Sequence, residues 1–211
     1  MIAELLELSR IKTRRQKMEN LDLRVLVNDL CGMFENDLKS KRIDLLIDTP
    51  LPVLHCEKAR MRQVFQNLID NAIKYMGDGA ARKIHVGCQV KSDEAEFYVR
   101  DTGIGIDAED LSKVFVVFRR GKNTVAQNVA GKGVGLASVK SIIETYGGTI
   151  WVESKPGHGS TFRFTINGQF VVPAAKAAAA LEVAAAARVA PGAAAAEGVA
   201  AAASQEQGKA A

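Results

Sequence analysis

Asn67, Asn71, Lys74 and Tyr75 stand at i, i+4, i+7 and i+8 of one segment. On a helix that spacing gathers them on a single polar face beside an apolar stripe. An amide oxygen is a hard ligand suited to Mg²⁺, and a lysine ammonium meets phosphate as a point charge. Taken alone, such a face is more readily a solvated helix surface. A second group is Asp101-Thr102-Gly103-Ile104-Gly105-Ile106. A carboxylate at the end of a strand can accept a hydrogen bond from the amino group of adenine, and Gly103 and Gly105 let the backbone turn and approach a flat base. The same pattern alone also serves as a strand-ending turn. A third group is Gly131-Lys132-Gly133-Val134-Gly135-Leu136. Glycines leading into a helix expose backbone N–H groups that can cradle phosphates. It is not a Walker loop, because no GK[ST] follows, and the polar segment before it makes a poor dinucleotide fingerprint. The fourth group runs from Phe115 to Lys122. Phe115 and Phe118 could pin a loop to the core, while Arg119, Arg120 and Lys122 supply cations; without the other groups this is an exposed basic turn. Residues 123–130 carry no pattern. A polar stretch between Phe anchors and Gly hinges is what a mobile lid needs.

These residues need elements to position them. The spacing of Met61, Val64, Phe65, Leu68, Ile69 and Ala72 predicts a helix over 57–75. An amphipathic helix is predicted over 25–39 and a strand over 43–47. Strands are predicted over 84–90 and 96–100, joined by the polar turn Lys91-Ser92-Asp93-Glu94. A helix over 134–146 is stopped by Gly147-Gly148, and a hairpin of 149–153 with 161–166 turns at Lys155-Pro156-Gly157-His158-Gly159. Hairpin-linked strands alternating with helices predict a sheet covered on one face by helices.

The chain has 211 residues, 47% of them hydrophobic and 25% charged, enough to bury a core over most of its length. A net charge of +4 without a basic stripe interleaved with aromatics argues against a nucleic-acid partner. Cys31, Cys56 and Cys88 are too far apart for a zinc site or a disulfide framework and are read as reduced thiols. No apolar run approaches bilayer length, and Glu4 and Glu7 interrupt any signal peptide, so the chain is expected to make no membrane contact and to be cytoplasmic. Residues 1–22 have a charged helical pattern, 23–172 read as one mixed α/β domain, and 173–211 form an Ala-rich, low-complexity tail expected to be disordered.

In sequence order the four groups resemble the asparagine box, first glycine box, phenylalanine box and second glycine box of the sensor histidine kinase ATP-binding domain. The stretch Gly147-Gly148-Thr149-Ile150-Trp151-Val152-Glu153-Ser154 and the run Gly157-His158-Gly159-Ser160-Thr161-Phe162 resemble that family's closing segment. The likeness covers residues 24–167. It implies the Bergerat fold, an α/β two-layer sandwich in which a mixed, largely antiparallel sheet is covered on one face by helices, shared with DNA gyrase and mismatch-repair ATPases. It implies ATP and Mg²⁺ as ligands. By this resemblance Asn71 coordinates Mg²⁺, Asn67 supports the metal and phosphate site, Lys74 reaches the phosphates and Tyr75 packs against the nucleotide. Asp101 binds the adenine amino group in a base pocket with Gly103, Gly105 and Ile106. Phe118 and Arg120 belong to the lid. Gly131, Lys132, Gly133, Val134, Gly135 and Leu136 close it around the phosphates, and Thr161, on the strand behind adenine, supports Asp101 through water. Asn67, Lys74 and Arg120 would carry catalysis.

The hydrolytic ATPases of this fold place a glutamate four residues before the metal-binding asparagine, where it activates water. Here that position is Asn67, which is no base at neutral pH. Asp70 points about 100° away from Asn71 on a helix and is discounted. The site is therefore expected to hold ATP without rapid hydrolysis and to act by positioning and charge neutralisation. Other features depart from the family pattern. Val116 and Val117 fill a gap that usually holds an acidic residue, and the register there favours Arg120 over Arg119 as the lid arginine. Tyr146 stands where histidine is common. The phosphoacceptor motif HE(L/I)RTPL has no counterpart, since the only histidines are His55, His85 and His158, none with its flanks. Leu5-Leu6-Glu7-Leu8-Ser9-Arg10-Ile11 resembles the end of the second dimerisation helix. The phosphoacceptor dimerisation domain is thus expected upstream or in trans, with a response regulator downstream, weak or no homodimerisation, and no self-phosphorylation. Two alternatives share the fold: a stand-alone serine/threonine kinase acting on an anti-sigma-type partner, and a non-catalytic ATP-dependent interaction module.

Overall fold

The structure, a computed structural model, describes residues 17–79, 81–117 and 134–173. Phe118, Arg119, Arg120, Lys122, Gly131, Lys132 and Gly133 therefore lie outside the described residues, as do the segment 1–16 and the tail 174–211. The first element is strand β1 (Glu19–Asp22). Asp22 then caps helix α1 (Leu23–Met33), its carboxylate accepting from the N–H of Arg24 at 2.8 Å and of Val25 at 3.3 Å. The single helix expected over 25–39 is instead broken at Phe34, where a second helix, α2 (Glu35–Lys41), begins. Gly32 weakens the last turn of α1, and partly buried Phe34 packs against the core.

Strand β2 (Asp44–Ile47) follows, then β3 (Val53–Cys56) and helix α3 (Lys58–Lys74). β3 pairs antiparallel with β1 to make a small two-stranded sheet that the sequence pattern did not announce. The expected domain boundary after residue 22 falls at the end of β1, whose pairing with β3 joins residues 19–22 to the α/β domain. Strands β4 (Lys83–Val90) and β5 (Glu94–Asp101) form the expected hairpin. The short helix α4 (Ala108–Leu111) comes next; beyond the undescribed stretch lie α5 (Gly135–Thr145), β6 (Ile150–Ser154) and β7 (Ser160–Asn167). A 3₁₀ turn at Gly168–Phe170 ends this run, and Val172 then donates to the carbonyl of Val53 at 2.9 Å.

The main sheet has the order β2-β4-β5-β7-β6. β2 runs parallel to β4, and every other pairing is antiparallel. β5 and β7 are neighbours although the whole stretch 102–159 separates them. Alternation sends Ile84, Val86, Phe97, Val99, Phe162 and Phe164 inward, while His85, Tyr98, Arg100 and Arg163 occupy the other face. The inward face meets α3 through Met61, Val64, Phe65, Leu68 and Ile69, and α5 through Val139, Ile142 and Ile143, all fully buried. Phe65 meets Phe97 and Phe164 edge-on with centroids 6.1 and 5.7 Å apart, and Phe97 stacks on Phe164 at 5.0 Å. This is the two-layer α/β sandwich with a largely antiparallel sheet that the sequence led us to expect.

Candidate functional site

The apolar stripe of α3 is locked into the core, so its polar face is held in register. Asn67 and Asn71 are half-buried on that face, and neither side-chain amide bonds a described residue. The start of α5 comes directly against it: a Cβ on residue 135 would sit 2.9 Å from Asn67 Oδ1. Gly135 is therefore what lets the helix N-terminus approach the amide, and Val134 and Leu136 flank this contact. Lys74 pairs with Asp70 one turn back, Nζ to Oδ2 at 2.5 Å, so the carboxylate set aside as a base serves as the lysine's ion-pair partner. The Lys74 side chain remains about a third exposed (35%), so leaving that pair for a phosphate costs little. Tyr75 ends the helix, and its carbonyl accepts from Ile104 N–H at 3.0 Å. That bond ties the first group of residues to the second.

Asp101 closes β5 and is buried, with 6% of its surface exposed. The N–H groups of Gly103 and Ser160 both donate to its Oδ1, at 2.8 and 3.2 Å. Oδ2 has no partner among the described residues. Burial pushes this carboxyl up to about 6, against the opposing pull of the two N–H donors. The loop beyond it is stitched to the β6–β7 turn. Gly157 N–H donates to Ile104 O at 2.8 Å, and Ile106 N–H to Ser154 Oγ at 2.9 Å. Gly105 has φ +72°, and a Cβ there would lie 2.2 Å from the carbonyl of Lys155. No other residue type fits that position.

Thr161 requires a correction. It pairs with Arg100 and Glu153 on the outer side of the sheet, so strand alternation turns it away from Asp101. The residue at Asp101 is Ser160, one position earlier. Ser154 and Ser160 were not singled out in the sequence, and single serines carry no pattern that would have done so. Of the fourth group, Phe115 is described; it packs edge-on against Phe162 with centroids 6.3 Å apart, as an anchor for the adjoining stretch should. Tyr146, the departure from histidine, is buried; its hydroxyl accepts from Glu57 N–H at 3.0 Å, and burial pushes its phenol up to about 12.

The histidines stand elsewhere. His55 is in β3 against Asn20, His85 in β4 against Asp48, and His158 in the β6–β7 turn against the carbonyl of Pro156. Burial pushes the thiols of Cys56 and Cys88 up to about 12, so neither is a nucleophile at neutral pH. Among the described residues no group of His, Cys, Asp and Glu could hold a metal ion by itself. A cation here would need amide and phosphate oxygens, which suits Mg²⁺. No described helix is long and apolar enough to cross a membrane.

Residues 56–169 match the family model described as histidine kinase-, DNA gyrase B- and HSP90-like ATPase. The chain is 34% identical over 166 residues to the methanogenesis regulatory histidine kinase FilI of Methanothrix harundinacea, covering 79% of this chain and 18% of that protein. The chain spans about a fifth of the length of the first curated relatives it matches. Among solved structures, the Acinetobacter baumannii histidine kinase AdeS superposes with a TM-score of 0.64 at 28% identity, over 79% of this chain and 76% of that one. Histidine kinase ThkA, solved in complex with the response regulator protein TrrA, has the same fold at a TM-score of 0.60 and 24% identity, over 79% of this chain and 46% of that one.

Proposed function

Because this chain belongs to the family of histidine kinase-, DNA gyrase B- and HSP90-like ATPases, we propose that its site holds Mg-ATP and presents the γ-phosphate to a histidine on a dimerisation domain. The observation that carries this reading is the convergence of three separate segments. The amide face of α3, the loop after Asp101 and the first turn of α5 meet through the Asn67–Gly135 approach and the Ile104–Tyr75 bond. Mg²⁺, when bound, would neutralise charge on the transferring phosphoryl group. Asn71 offers it an amide oxygen, and Asn67 sits one turn earlier beside the start of α5. Lys74, released from Asp70, supplies a cation to the phosphates. Asp101 presents Oδ2 to the adenine amino group. Arg120 is assigned its part as the lid arginine from sequence alone. With Asn67 where a water-activating glutamate would stand, the site binds ATP and hydrolyses it slowly. A response regulator would receive the phosphoryl group downstream, on the cytoplasmic side where ATP is available.

Replacing Asn71 by alanine is expected to weaken Mg-ATP binding tenfold or more, about 1.4 kcal/mol. Adenosine binding should change much less. Titration calorimetry with and without Mg²⁺ reads both, and equal ATP affinity in the variant would remove Asn71 as the ligand.

Incubation with radiolabelled ATP tests the transfer itself. Label is expected on an added hairpin carrying an HE(L/I)RTPL helix, slowly and in proportion to concentration, and not on this chain alone. The label should be acid-labile, as phosphohistidine is; acid-stable label would indicate a serine or threonine acceptor. Stable label on this chain, lost on mutating His55, His85 or His158, would contradict the proposal.

A further inference from the structure

Ser154 stands at the end of β6, and its hydroxyl joins the loop after Asp101 to the residues entering β7, beside the Gly157–Ile104 and Ser160–Asp101 bonds. Ile106 N–H donates to Ser154 Oγ at 2.9 Å. Ser154 Oγ in turn lies 2.7 Å from the carbonyl of Gly159 and 3.0 Å from Ser160 Oγ. A hydroxyl has one proton to give and two lone pairs to receive. Here the proton goes to Gly159, and the lone pairs take Ile106 N–H and Ser160 Oγ–H, so its capacity is filled.

The two joined segments are the walls of one place. Ile106 ends the loop that starts at Asp101. Gly159 precedes Ser160, whose N–H holds Asp101 Oδ1 at 3.2 Å. The loop between carries Gly105 at φ +72°, pressed against the carbonyl of Lys155. Without the hydroxyl, Ile106 N–H and Gly159 C=O lose their shared partner, and the Ile106 end of the loop is held to the turn only by the Gly157–Ile104 bond and the close packing of Gly105.

We propose that Ser154 is a positioning residue for base recognition, fixing the Asp101 loop against the β6–β7 turn through the bonds of its hydroxyl to Ile106 N–H and Gly159 C=O. It acts through the loop and does not touch the nucleotide. The role rests on the nucleotide reading above, and it separates the base half of the site from the phosphate half on α3 and α5.

Ser154→Ala is expected to weaken binding of adenosine and ADP about tenfold, the effect of one partly buried hydrogen bond. Binding of Mg-tripolyphosphate, which has no base, should stay within about twofold. Ser154→Thr keeps the hydroxyl and should restore adenosine binding to within about twofold of the unsubstituted chain. Calorimetry on all three proteins gives the comparison. The proposal is overturned if Ser154→Ala binds adenosine normally, if it loses tripolyphosphate to the same extent, or if Thr fails where Ala fails. A chain that binds tripolyphosphate but neither adenosine nor ATP before any substitution would overturn the nucleotide reading itself.

Discussion

Asp101→Asn is expected to raise the melting temperature of the nucleotide-free protein at pH 7 while lowering its affinity for ATP at least tenfold. The two effects share one cause. Burial has pushed the carboxyl from 3.8 to about 6, so the folded protein favours the neutral form. An acid raised in this way helps the fold most below its unfolded value of 3.8, and that help is lost as pH rises through about 6. At pH 7 the ionised group therefore costs stability, at most about 3 kcal/mol. Asparagine keeps an oxygen for the Gly103 and Ser160 N–H groups and carries no charge, so it removes that cost. Melting curves of the two proteins should differ by several degrees at pH 7 and by about half as much at pH 5, since the difference closes only as pH falls to the unfolded value of 3.8. Binding moves the other way. The amide would aim N–H donors at the adenine amino group, and losing a charged hydrogen bond costs about 1.5–3 kcal/mol. Asp101→Ala should show the affinity loss too. Affinity of the unsubstituted chain for ATP should fall as pH drops through about 6, and tight binding of GTP would contradict the role of Asp101.

Phe164→Ala is expected to cost about 3–5 kcal/mol of folding stability, enough to unfold much of a marginal domain. Phe164 is fully buried at the meeting of β5, β7 and α3, and it touches both Phe97 and Phe65. Two aromatic contacts and the hole left behind add to the transfer term. Val25→Ala, on a residue 48% exposed, should stay within about 0.5 kcal/mol. Urea denaturation of both variants measures the contrast. A Phe164→Ala protein as stable as the unsubstituted chain would mean that this cluster is not the centre of the core.

The sequence made α3, the β4–β5 hairpin, α5 and the closing hairpin legible because each carries a sustained period or a glycine stop. Position 34 was not legible: the 3.6-residue period runs through it, Gly32 only weakens the turn before it, and the packing of partly buried Phe34 against the core is a tertiary effect. β1 and β3 were missed because four-residue strands are too short to show alternation, and each becomes a strand only by meeting the other. The site divides along the same line. Asn67, Asn71, Asp101 and Gly135 belong to local patterns, the first two on one face of α3, Asp101 at the end of β5 and Gly135 at the start of α5. Thr161 was one residue off because the face a strand residue takes depends on register, which no local spacing fixes. Ser154 acts on Ile106 across 48 positions of chain, a distance at which a single serine has no sequence signature. Lys74 was expected to be free for phosphate, and its ion pair with Asp70 follows from the ordinary i, i+4 geometry of a helix.

The pairing of β5 with β7 across residues 102–159 has a consequence for tolerance to insertion. The fold has already met the entropy of closing a large loop, and that entropy grows only with the logarithm of loop length. Doubling the connecting chain would add about 0.6 kcal/mol. Residues inserted between Val117 and Val134 should therefore leave equilibrium stability almost unchanged. Refolding should slow, because a more distant strand must be found before the sheet closes. Added length there is thus a matter for the rate of refolding rather than for the stability of the sandwich.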